Sequence, residues 1–477
     1  MSRAPKKSPK KKCPQIIENA VEQSVAQNPF TIIGIGASAG GLEAFTRLLS
    51  NLPENTGMAF VLVQHLDPDH ASHLTNLLTK ATAMPVREVK NGMTIKPNHV
   101  FIIPPNFNMG IAKRKLILTP RDETRVPHLP VDFFFRSLAK EQQSWAIGVI
   151  LSGTGSDGAA GLAEIKSAGG LTFAQDEKSA KFSGMPLHAG NVDFVLPPER
   201  IAQELARIGH DPYLALPATT ESEDQEAEAG RNFRRILAIL RSHTNVDFSQ
   251  YRDTTIKRRI QRRMVVNTRH TIAEYIKLLE KDQGEAKALF EDVLVNVTRF
   301  FRDPEMFEAL KEKVFPEILK TAPPVIRVWV TACSTGQEAY SIAIALLEFL
   351  EHQVTPPAFQ IFGTDVNEAV SIEQARRGLF PDTIEREISP ERLRRHFTRE
   401  EGGYCISKSI RDLCIFAKHN ISSDPPFSRM DLISCRNLLI YFTPNLQRHV
   451  ISTFHYALNP AGFLVLGGSE TVGPNSD

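Results

Sequence analysis

The sequence predicts an α/β protein in which a small all-α domain separates two domains built on parallel sheets. From Thr31 to about Leu196, short runs rich in β-branched residues alternate with helix-length segments, and the same alternation returns at about Val325. This pattern is typical of parallel strands joined by crossover helices. Between the two regions, apolar residues recur at helical spacing without a strand pattern. We therefore expect a doubly wound first domain, an all-α domain and a Rossmann-like last domain.

Changes in composition set the expected domain boundaries. The opening "MSRAPKKSPKKK" is basic and has too few apolar residues to order itself, so residues 1–30 are expected to form a disordered basic tail. The first α/β domain then covers residues 31–213. The acidic run "LALPATTESEDQEAEAGR" lacks apolar periodicity and predicts a solvated linker over residues 214–231. The all-α domain follows over residues 232–321, and the second α/β domain over residues 322–477.

Composition excludes several classes of protein. A formal charge of +2 is too small to require nucleic acid or an anionic membrane as a partner. The 5 cysteines are scattered and show no CxxC pair, so we expect no metal site and a reducing, cytoplasmic location. No apolar stretch approaches the roughly 20 residues that a membrane-spanning helix needs. We therefore expect neither nucleic-acid binding nor membrane insertion.

The first glycine-rich loop, "GIGASAGG", follows the first predicted strand and permits two kinds of site. Its glycines suit a phosphate-binding turn, or a sharp turn that exposes Ser38 as a nucleophile. A dinucleotide site needs an acid at the end of the second strand, but "AFVLVQHL" ends there in Gln64 and His65. His65 is the kind of base that a serine nucleophile requires. Asp157, in the later loop "VILSGTGSDGAAG", would orient that imidazole.

Each of these residues also has an ordinary structural interpretation. Ser38 is a common helix-capping residue, Asp157 would cap the helix after its own loop, and a strand-end histidine needs no role. The occurrence of all three at strand ends of one sheet favours a serine hydrolase site. A dinucleotide-dependent oxidoreductase is the alternative.

The first domain resembles a known family across nearly all of residues 31–200. The motifs are "IGASAGGLEAF", "VLVQHLDPDHASHL", "MPVREVKNGMTIKPNHVFIIPP", "VDFFFRSLA", "VILSGTGSDGAAGL" and "FSGMP". In content and order they resemble the CheB-type chemotaxis receptor methylesterases. The resemblance implies a doubly wound hydrolase domain with Ser38, His65 and Asp157 as catalytic residues and Thr154 at the oxyanion hole. It also implies hydrolysis of glutamyl methyl esters, with glutamine deamidation as a second activity.

The second α/β domain has the acid that the first one lacks. "VWVTACSTGQEAYSIAIALL" predicts a strand, a loop and a helix with Glu338 in its first turn, and "FQIFGTDVN" places Asp365 at the end of the next strand. A carboxylate there is suited to ribose hydroxyls. The loop has a single glycine, which favours S-adenosylmethionine over NAD. A capping loop beside an unrelated strand-end acid is the alternative.

The motifs from about Phe233 onward also resemble a known family. They are "NVTRFFRDPEMFEAL", "ACSTGQEAYSIAIALL", "GTDVNEAV", "ARRGLF", "ISCRNLLIYF" and "LGGSE". They resemble the CheR-type receptor methyltransferases, and the resemblance implies S-adenosylmethionine as the methyl donor. The positions matching the family's donor contacts are Asn296, Thr298, Arg302, Glu338, Asp365, Asn420, Ile421, Asn437 and Leu438. Arg302 and Tyr441 are our candidates for placing the substrate carboxylate, although Tyr441 also fits a core aromatic.

Two further segments concern contacts with partner proteins. "YRDTTIKRRIQRRM" puts Lys257, Arg258, Arg262 and Arg263 on one helix. Such a face is ordinarily just solvated. The resemblance implies instead that it meets the acidic methylation helix of a receptor. "FTREEGGYCISKSIRDL" predicts a small antiparallel subdomain with its turn at Gly402 and Gly403.

Taken together, one half would install glutamyl methyl esters and the other would remove them from the same class of substrate. We therefore expect methyl-accepting chemoreceptor helices as partners. The last domain stops short of the strands that should close its fold, so we expect it to be C-terminally incomplete. Sensory or histidine kinase modules are expected beyond it. A non-catalytic signalling scaffold with decayed sites is the alternative of a different class.

Overall fold

The computed structural model describes residues 30–65, 74–121, 128–190, 192–209, 223–294 and 298–473. Apart from Phe30, the expected basic tail lies outside these residues, and so does Asn296.

The first domain contains one parallel sheet and one small antiparallel sheet. The strands of the parallel sheet are β1 (Ile32–Ala37), β2 (Ala59–Gln64), β3 (Val86–Glu88), β5 (Val100–Ile102), β8 (Ala146–Ile150), β9 (Leu171–Gln175) and β10 (Phe194–Leu196). The antiparallel strands are β4 (Met93–Thr94), β6 (Phe107–Ala112) and β7 (Lys115–Pro120). The seven-stranded sheet has the order β10-β9-β8-β1-β2-β5-β3, and every neighbouring pair is parallel. Strands β8, β1 and β2, which precede the three candidate catalytic residues, are therefore adjacent.

Helices cover both faces of the parallel sheet. They are α1 (Gly41–Leu49), α2 (Leu74–Leu78), α3 (Pro130–Gln142), α4 (Ala159–Ser167), α5 (Gly184–His188) and α6 (Pro198–Gly209). One hydrophobic cluster joins Ile33 of β1 to α1 and α6, and another joins Ile32 of the same strand to α3 and α4. Successive side chains of a strand point to opposite faces, so each face has its own core. The doubly wound fold expected from the sequence is confirmed.

The hairpin of β6 and β7 is not predicted by the sequence analysis. Its turn is formed by Lys113 and Arg114, which adopt φ values of 48° and 58°. Tight hairpin turns with positive φ usually contain glycine or asparagine, and this one contains neither. The hairpin is fixed on helix α3, where Ser137 Oγ accepts a hydrogen bond from the Ile111 N–H at 2.8 Å.

The helical domain contains α7 (Glu223–Thr244), α8 (Asp253–Val266), α9 (Ile272–Lys281) and α10 (Gln283–Leu294). Its core includes Phe233, Ile236 and Tyr275. Helix α7 begins at Glu223, inside the stretch expected to be a linker, so the expected lack of regular structure is wrong from Glu223 onward, although residues 227–229 are exposed. The run is rich in Glu, Gln and Ala, which are strong helix formers, and the helix it starts continues into the packed segment around Phe233. Residues 214–222 lie outside the described residues.

The last domain is a second α/β unit. Its parallel strands are β11 (Val325–Thr331), β12 (Ala358–Asp365), β16 (Cys414–Lys418), β17 (Met430–Cys435) and β18 (Leu458–Leu466), in the order β16-β12-β11-β17-β18. Its helices are α11 (Pro304–Ala309), α12 (Phe315–Lys320), α13 (Gln337–Leu350), α14 (Glu373–Arg377), α15 (Pro390–His396), α16 (Lys408–Arg411) and α17 (Pro444–Ala457). Strands β11 and β12 lie where the sequence analysis expects them, whereas β16 is not predicted by it. Phe307 and Phe315, assigned to the helical domain from the sequence, pack in the core of this unit.

The expected antiparallel subdomain is present. It consists of β13 (Leu379–Phe380), β14 (Phe397–Glu400) and β15 (Gly403–Ile406), in the order β13-β15-β14. Glu400 pairs with Gly403, so the turn residues are Glu401 and Gly402 rather than Gly402 and Gly403.

Helix α8 joins the helical domain to the first domain through buried arginines. Arg259 and Arg262 are only 5% and 3% exposed. Arg259 donates to the carbonyl oxygen of Lys166, at 2.7 Å, and to that of Ser167. Both carbonyls lie at the C-terminal end of α4, where a cation is favourable. Arg262 donates to the Gly170 carbonyl at 3.1 Å.

Arg262 also lies between two carboxylates. It pairs with Asp193 of the first domain and with Asp292 of α10. Burial alone would raise the pKa of Asp193, but Arg262 and Lys166 hold it below its usual value. Burial keeps the pKa of Asp292 above its usual value although Arg262 opposes this. Arg262 therefore pairs with one carboxylate of its own helical domain and with one of the first domain.

An apolar contact supports the same interface. Val265, at the end of α8, is 2% exposed and belongs to the hydrophobic cluster of the first domain. Its carbonyl accepts from Arg207 of α6 at 3.1 Å. The interpretation of the basic run as a solvated face is thus wrong for Arg262, because the sequence pattern does not reveal the domain that covers it. Lys257 remains exposed.

We predict that Arg262→Ala destabilises the protein by about 3 to 5 kcal/mol, because it removes the buried cation that Asp193 and Asp292 share. The midpoint of urea unfolding, followed by circular dichroism, measures this change. Arg235→Ala is the matched control, since Arg235 forms an exposed ion pair with Glu280. It should cost less than about 1 kcal/mol. Equal effects of the two substitutions would contradict the structural role assigned to Arg262.

Candidate functional site

Ser38 lies in the turn between β1 and α1. Its N–H donates to the Ser152 carbonyl at 3.0 Å, and its own carbonyl accepts from the Gly41 N–H at 2.9 Å. The residue that caps α1 is Gly40, with φ 78°, and no side chain caps this helix. The structure therefore does not support Ser38 as a helix cap.

His65 and Asp157 are brought together as the sequence analysis expects. His65 Nε2 lies 3.1 Å from Asp157 Oδ2, and the Asp157 side chain is only 3% exposed. The strand register places Ala37 beside Gln64, so the residues that follow them, Ser38 and His65, leave the sheet side by side. The described contacts include no hydrogen bond from Ser38 to His65. Hydrogen bonds at catalytic sites often tighten only when substrate binds.

Asp157 is held by the start of a different helix from the one expected. Its two carboxylate oxygens accept from the backbone N–H groups of Val131 and Asp132, both at 2.9 Å. These belong to the first turn of α3, whose N–H groups lack partners within the helix and favour a negative charge. Helix α4 has Gly158 at its cap and no side-chain cap. The alternative in which Asp157 caps the helix after its own loop is therefore wrong.

Ser152 connects the loops around this site, and the sequence analysis does not identify it. Its hydroxyl donates to the Ala39 carbonyl at 2.9 Å and accepts from the Phe182 N–H at 3.0 Å. Beside it, a Cβ atom at Gly153 would lie 2.1 Å from Met185 Sδ and 3.0 Å from Ser38 Cβ. A larger residue at this position would therefore displace the Met185 side chain and crowd Ser38. Thr154, the candidate oxyanion residue, follows immediately and is exposed.

A second buried carboxylate lies next to the site. Asp132 is 3% exposed, and burial together with the charge of Asp157 raises its pKa to about 6. Its Oδ1 accepts from the Gly161 N–H at 2.7 Å, whereas its Oδ2 has no hydrogen-bond partner among the described residues. Such a carboxyl group stabilises the folded state in its protonated form.

The second candidate site is a cleft at the carboxyl ends of β11 and β12. It brings together every candidate residue of the second half that the structure describes. These are Thr298, Arg302, Glu338, Asp365, Asn420, Ile421, Asn437, Leu438 and Tyr441.

The floor of this cleft fits the S-adenosylmethionine that the resemblance implies. Asp365 is 6% exposed, and its carboxylate accepts from the N–H groups of Ser334 at 3.0 Å and Asn367 at 2.9 Å. Burial raises its pKa, and these N–H groups oppose the rise. The hydroxyl of Ser334, which also lines the cleft, is buried and has no hydrogen-bond partner in the part of the chain that the structure describes. An unpaired hydroxyl beside a strand-end acid suits the polar groups of a nucleoside ligand.

Glu338 is engaged with protein groups on both carboxylate oxygens. It accepts from Ser434 Oγ at 2.7 Å and from Arg436 Nη1 at 3.0 Å. Burial raises its pKa although Arg436 opposes this. Arg436 also donates to the Arg302 carbonyl at 3.0 Å, so it connects Glu338 to the segment that carries Arg302. The sequence analysis assigns no role to Arg436, since an arginine after a buried strand has no distinctive signal.

Glu470 holds a loop that lines another part of the cleft. Its carboxylate accepts from the N–H groups of Asn437 at 2.8 Å, Leu439 at 2.7 Å and Gly467 at 2.7 Å. It thereby holds the loop that carries Asn437 and Leu438. Sequence reasoning quotes this glutamate only as part of a motif.

Tyr441 satisfies both interpretations given to it. It lines the cleft and also packs on the core cluster formed by β17 and α17. Burial raises the pKa of its phenol, so the group is neutral at physiological pH and can donate a hydrogen bond.

The described part of the chain offers no group of metal-ligating side chains. Among the same residues, every helix is too short or too polar to cross a bilayer.

We predict that Asp132→Asn changes how the stability of the protein depends on pH. The folded pKa of about 6 lies above the usual value of 3.8, so the wild type loses stability as the pH rises from about 4 to about 6. The asparagine variant lacks this loss, which amounts to at most about 3 kcal/mol. Thermal unfolding of both proteins between pH 4 and pH 8 tests this. The control is Asp253→Asn, on an exposed position of α8, whose profile should parallel the wild type.

Three family models match the chain, in the order that the sequence motifs predict. They are CheB methylesterase over residues 33–205, the all-alpha domain of CheR methyltransferase over residues 231–294, and its SAM binding domain over residues 296–477. Both resemblances inferred from the motifs are therefore confirmed.

Curated relatives agree with these matches. An uncharacterised 104.1 kDa protein of Rhodobacter capsulatus is 40% identical over 84% of this chain, which covers 44% of that relative. A chemotaxis protein methyltransferase of Listeria monocytogenes is 30% identical, over 51% of this chain and 90% of the relative. A protein-glutamate methylesterase/protein-glutamine glutaminase of Burkholderia lata is 38% identical, over 37% of this chain and 53% of the relative. The chain belongs to the CheR methyltransferase family, and it carries a CheB methylesterase domain ahead of its S-adenosylmethionine-binding domain.

Proposed function

We propose that this protein adjusts the methylation of chemoreceptor-like signalling proteins in both directions. The first domain hydrolyses glutamyl methyl esters and deamidates glutamine side chains. The last domain transfers a methyl group from S-adenosylmethionine to glutamate side chains. The substrates are helices of methyl-accepting receptors. The described cysteines are free, in keeping with the cytoplasmic location expected from the sequence. The sensory or kinase modules expected beyond residue 477 stay a prediction.

The observation that carries the esterase proposal is the contact of His65 with Asp157 beside Ser38. His65 takes the proton of the Ser38 hydroxyl as Oγ attacks the ester carbonyl, and it returns the proton to the departing methanol. Water then attacks the glutamyl-serine ester with His65 again as the base, which releases the free glutamate side chain and restores the Ser38 hydroxyl. Asp157 stabilises the imidazolium formed in between and fixes the ring. Because Asp157 meets Nε2, the nitrogen left for Ser38 is Nδ1. The N–H of Thr154 is the proposed donor to the developing oxyanion.

The dinucleotide alternative gains no support from the structure. The residue at the end of β2 is Gln64, whose side chain donates to the Ser38 carbonyl at 3.4 Å. This amide helps to hold the serine turn where a ribose-binding acid would be needed. The intact His65–Asp157 pair likewise argues against a scaffold with a decayed esterase site.

The methyltransferase proposal needs no strong base. A glutamate side chain is ionised at neutral pH, so positioning and electrostatics provide most of the rate. S-adenosylmethionine supplies the electrophilic methyl group. We assign Asp365 to the ribose hydroxyls, and Arg302 and Tyr441 to the incoming carboxylate. Asn420 and Asn437 offer polar groups, and Ile421 and Leu438 offer apolar surface, for the rest of the donor.

We predict that Ser38→Ala abolishes hydrolysis of a peptide carrying a glutamate γ-methyl ester, because the nucleophile is lost. Methanol release measures the reaction, and we expect a loss of about 1,000-fold or more. Ser50→Ala, on a surface serine just after α1, is the control and should match the wild type. Unchanged methanol release from the Ser38 variant would refute the esterase proposal.

We predict that Glu470→Ala weakens S-adenosylmethionine binding by about tenfold, since it frees the backbone that presents Asn437 and Leu438. Isothermal titration calorimetry of the full chain measures the affinity. Glu401→Ala, at the exposed turn of the antiparallel subdomain, is the control. Retained affinity in the Glu470 variant would mean that this loop is not part of the donor site.

A further inference from the structure

An arginine of the methyltransferase domain reaches the loop that carries the esterase aspartate. Arg386 closes the 3-10 turn Asp382–Arg386. Its Nη2 donates to Ser156 Oγ at 2.7 Å, and its Nη1 lies 3.8 Å from Asp132 Oδ2. Ser156 directly precedes Asp157 in the chain.

The loop needs such a support because it has few contacts of its own. Within the loop, Asp157 is anchored by the N–H groups of Val131 and Asp132, so the part with few contacts is residues 154–156, in which Gly155 adopts a φ of 79°. In the described structure, the hydrogen bond from Arg386 is the only one made by a side chain of residues 154–156. The nearest backbone bond, from Ala159 to the Ser156 carbonyl, is 3.3 Å long.

Asp132 connects the same arginine to Asp157 by a second route. Its N–H donates to Asp157, and its Oδ1 accepts from Gly161 at the start of α4. Its Oδ2 has no hydrogen-bond partner among the described residues, and the guanidinium of Arg386 faces it. Arg386 therefore contacts both residues that flank Asp157 in space.

The methyltransferase domain presents Arg386 from a fixed position. Glu387, the next residue, accepts from the Phe300 N–H at 2.9 Å and so attaches the turn to the domain core. On the other side of the interface, Arg259 and Arg262 of α8 dock onto the first domain. The position of Arg386 is thus fixed by its own domain, and the esterase domain that carries the loop is fixed separately by its contacts with α8.

We propose that Arg386 is a positioning residue for the esterase reaction, supplied by the methyltransferase domain. It holds the loop of Ser156 so that Asp157 keeps its contact with His65. The esterase rate then depends on the docking of the two enzymes. This inference rests on the proposed catalytic role of Ser38, His65 and Asp157.

The test compares Arg386→Ala, Arg386→Lys and the control Arg395→Ala in the full chain. Arg395 belongs to the same domain and pairs with Glu351, away from the esterase. With the γ-methyl ester peptide as substrate, we expect Arg386→Ala to lower kcat about tenfold with KM unchanged. Arg386→Lys should recover part of this loss because it keeps a donor and the charge. Hydrogen exchange of residues 152–158 should accelerate in the alanine variant alone.

The possible outcomes separate the two proposals. Titration with S-adenosylmethionine shows whether each variant keeps a folded methyltransferase domain. If the wild type shows no Ser38-dependent hydrolysis, the esterase proposal and this inference both fail. If the wild type is active and Arg386→Ala retains the kcat of Arg395→Ala, only the positioning role is overturned. A loss of kcat that lysine does not relieve at all, with unchanged hydrogen exchange of the loop, would also overturn it.

Discussion

The burial of two arginines on helix α8 is the interaction on which the arrangement of this protein depends. A guanidinium removed from water must find acceptors, or its burial costs several kcal/mol. Arg259 finds them at the end of α4, and Arg262 finds them in Gly170, Asp193 and Asp292. Burial and the neighbouring Arg262 lower the pKa of Arg259 to about 10, so the group still carries its charge at neutral pH. The interface is therefore built from charges whose acceptors lie largely in the first domain, with Asp292 as the partner inside the helical domain.

The two candidate sites solve the same physical problem in different ways. Each places a buried aspartate after a parallel strand and supports its charge with backbone N–H groups. Asp157 takes them from the first turn of α3 and directs one oxygen at His65, which suits orientation of a base. Asp365 takes them from Ser334 and Asn367 and remains in the wall of an open cleft, which suits a ligand. The difference follows from the residues at the other strand ends. His65, after β2, faces Asp157, whereas Asp365 faces the cleft.

Sequence reasoning predicts those parts that local pattern determines. The strand runs locate Ser38, His65 and Asp365, because parallel strands bring their carboxyl ends to one edge. Sequence reasoning does not identify Ser152, Arg436 or Glu470, because their hydrogen-bond partners lie far away in the chain and no local signal marks these residues. Sequence reasoning also does not predict the helix that begins at Glu223 or the hairpin turn at Lys113, for another reason. The hairpin turn contains neither glycine nor asparagine and depends on its packing against α3. The run at Glu223 contains good helix formers but lacks apolar periodicity, and its helix continues into the packed segment around Phe233.

The docked arrangement also changes how the basic run on α8 must be understood. The resemblance assigns Lys257, Arg258, Arg262 and Arg263 to contact with an acidic receptor helix. In the structure Arg262 is buried against Asp193, and Arg263 pairs with Glu285 of its own domain. Only Lys257 and Arg258 remain exposed, and Arg258 already donates to Gln143 of the first domain at 3.0 Å. A receptor helix and the esterase domain would thus compete for the same cations. Contact of all four residues with a receptor helix would therefore require release of Arg262 from Asp193, at the energetic cost of separating a buried ion pair.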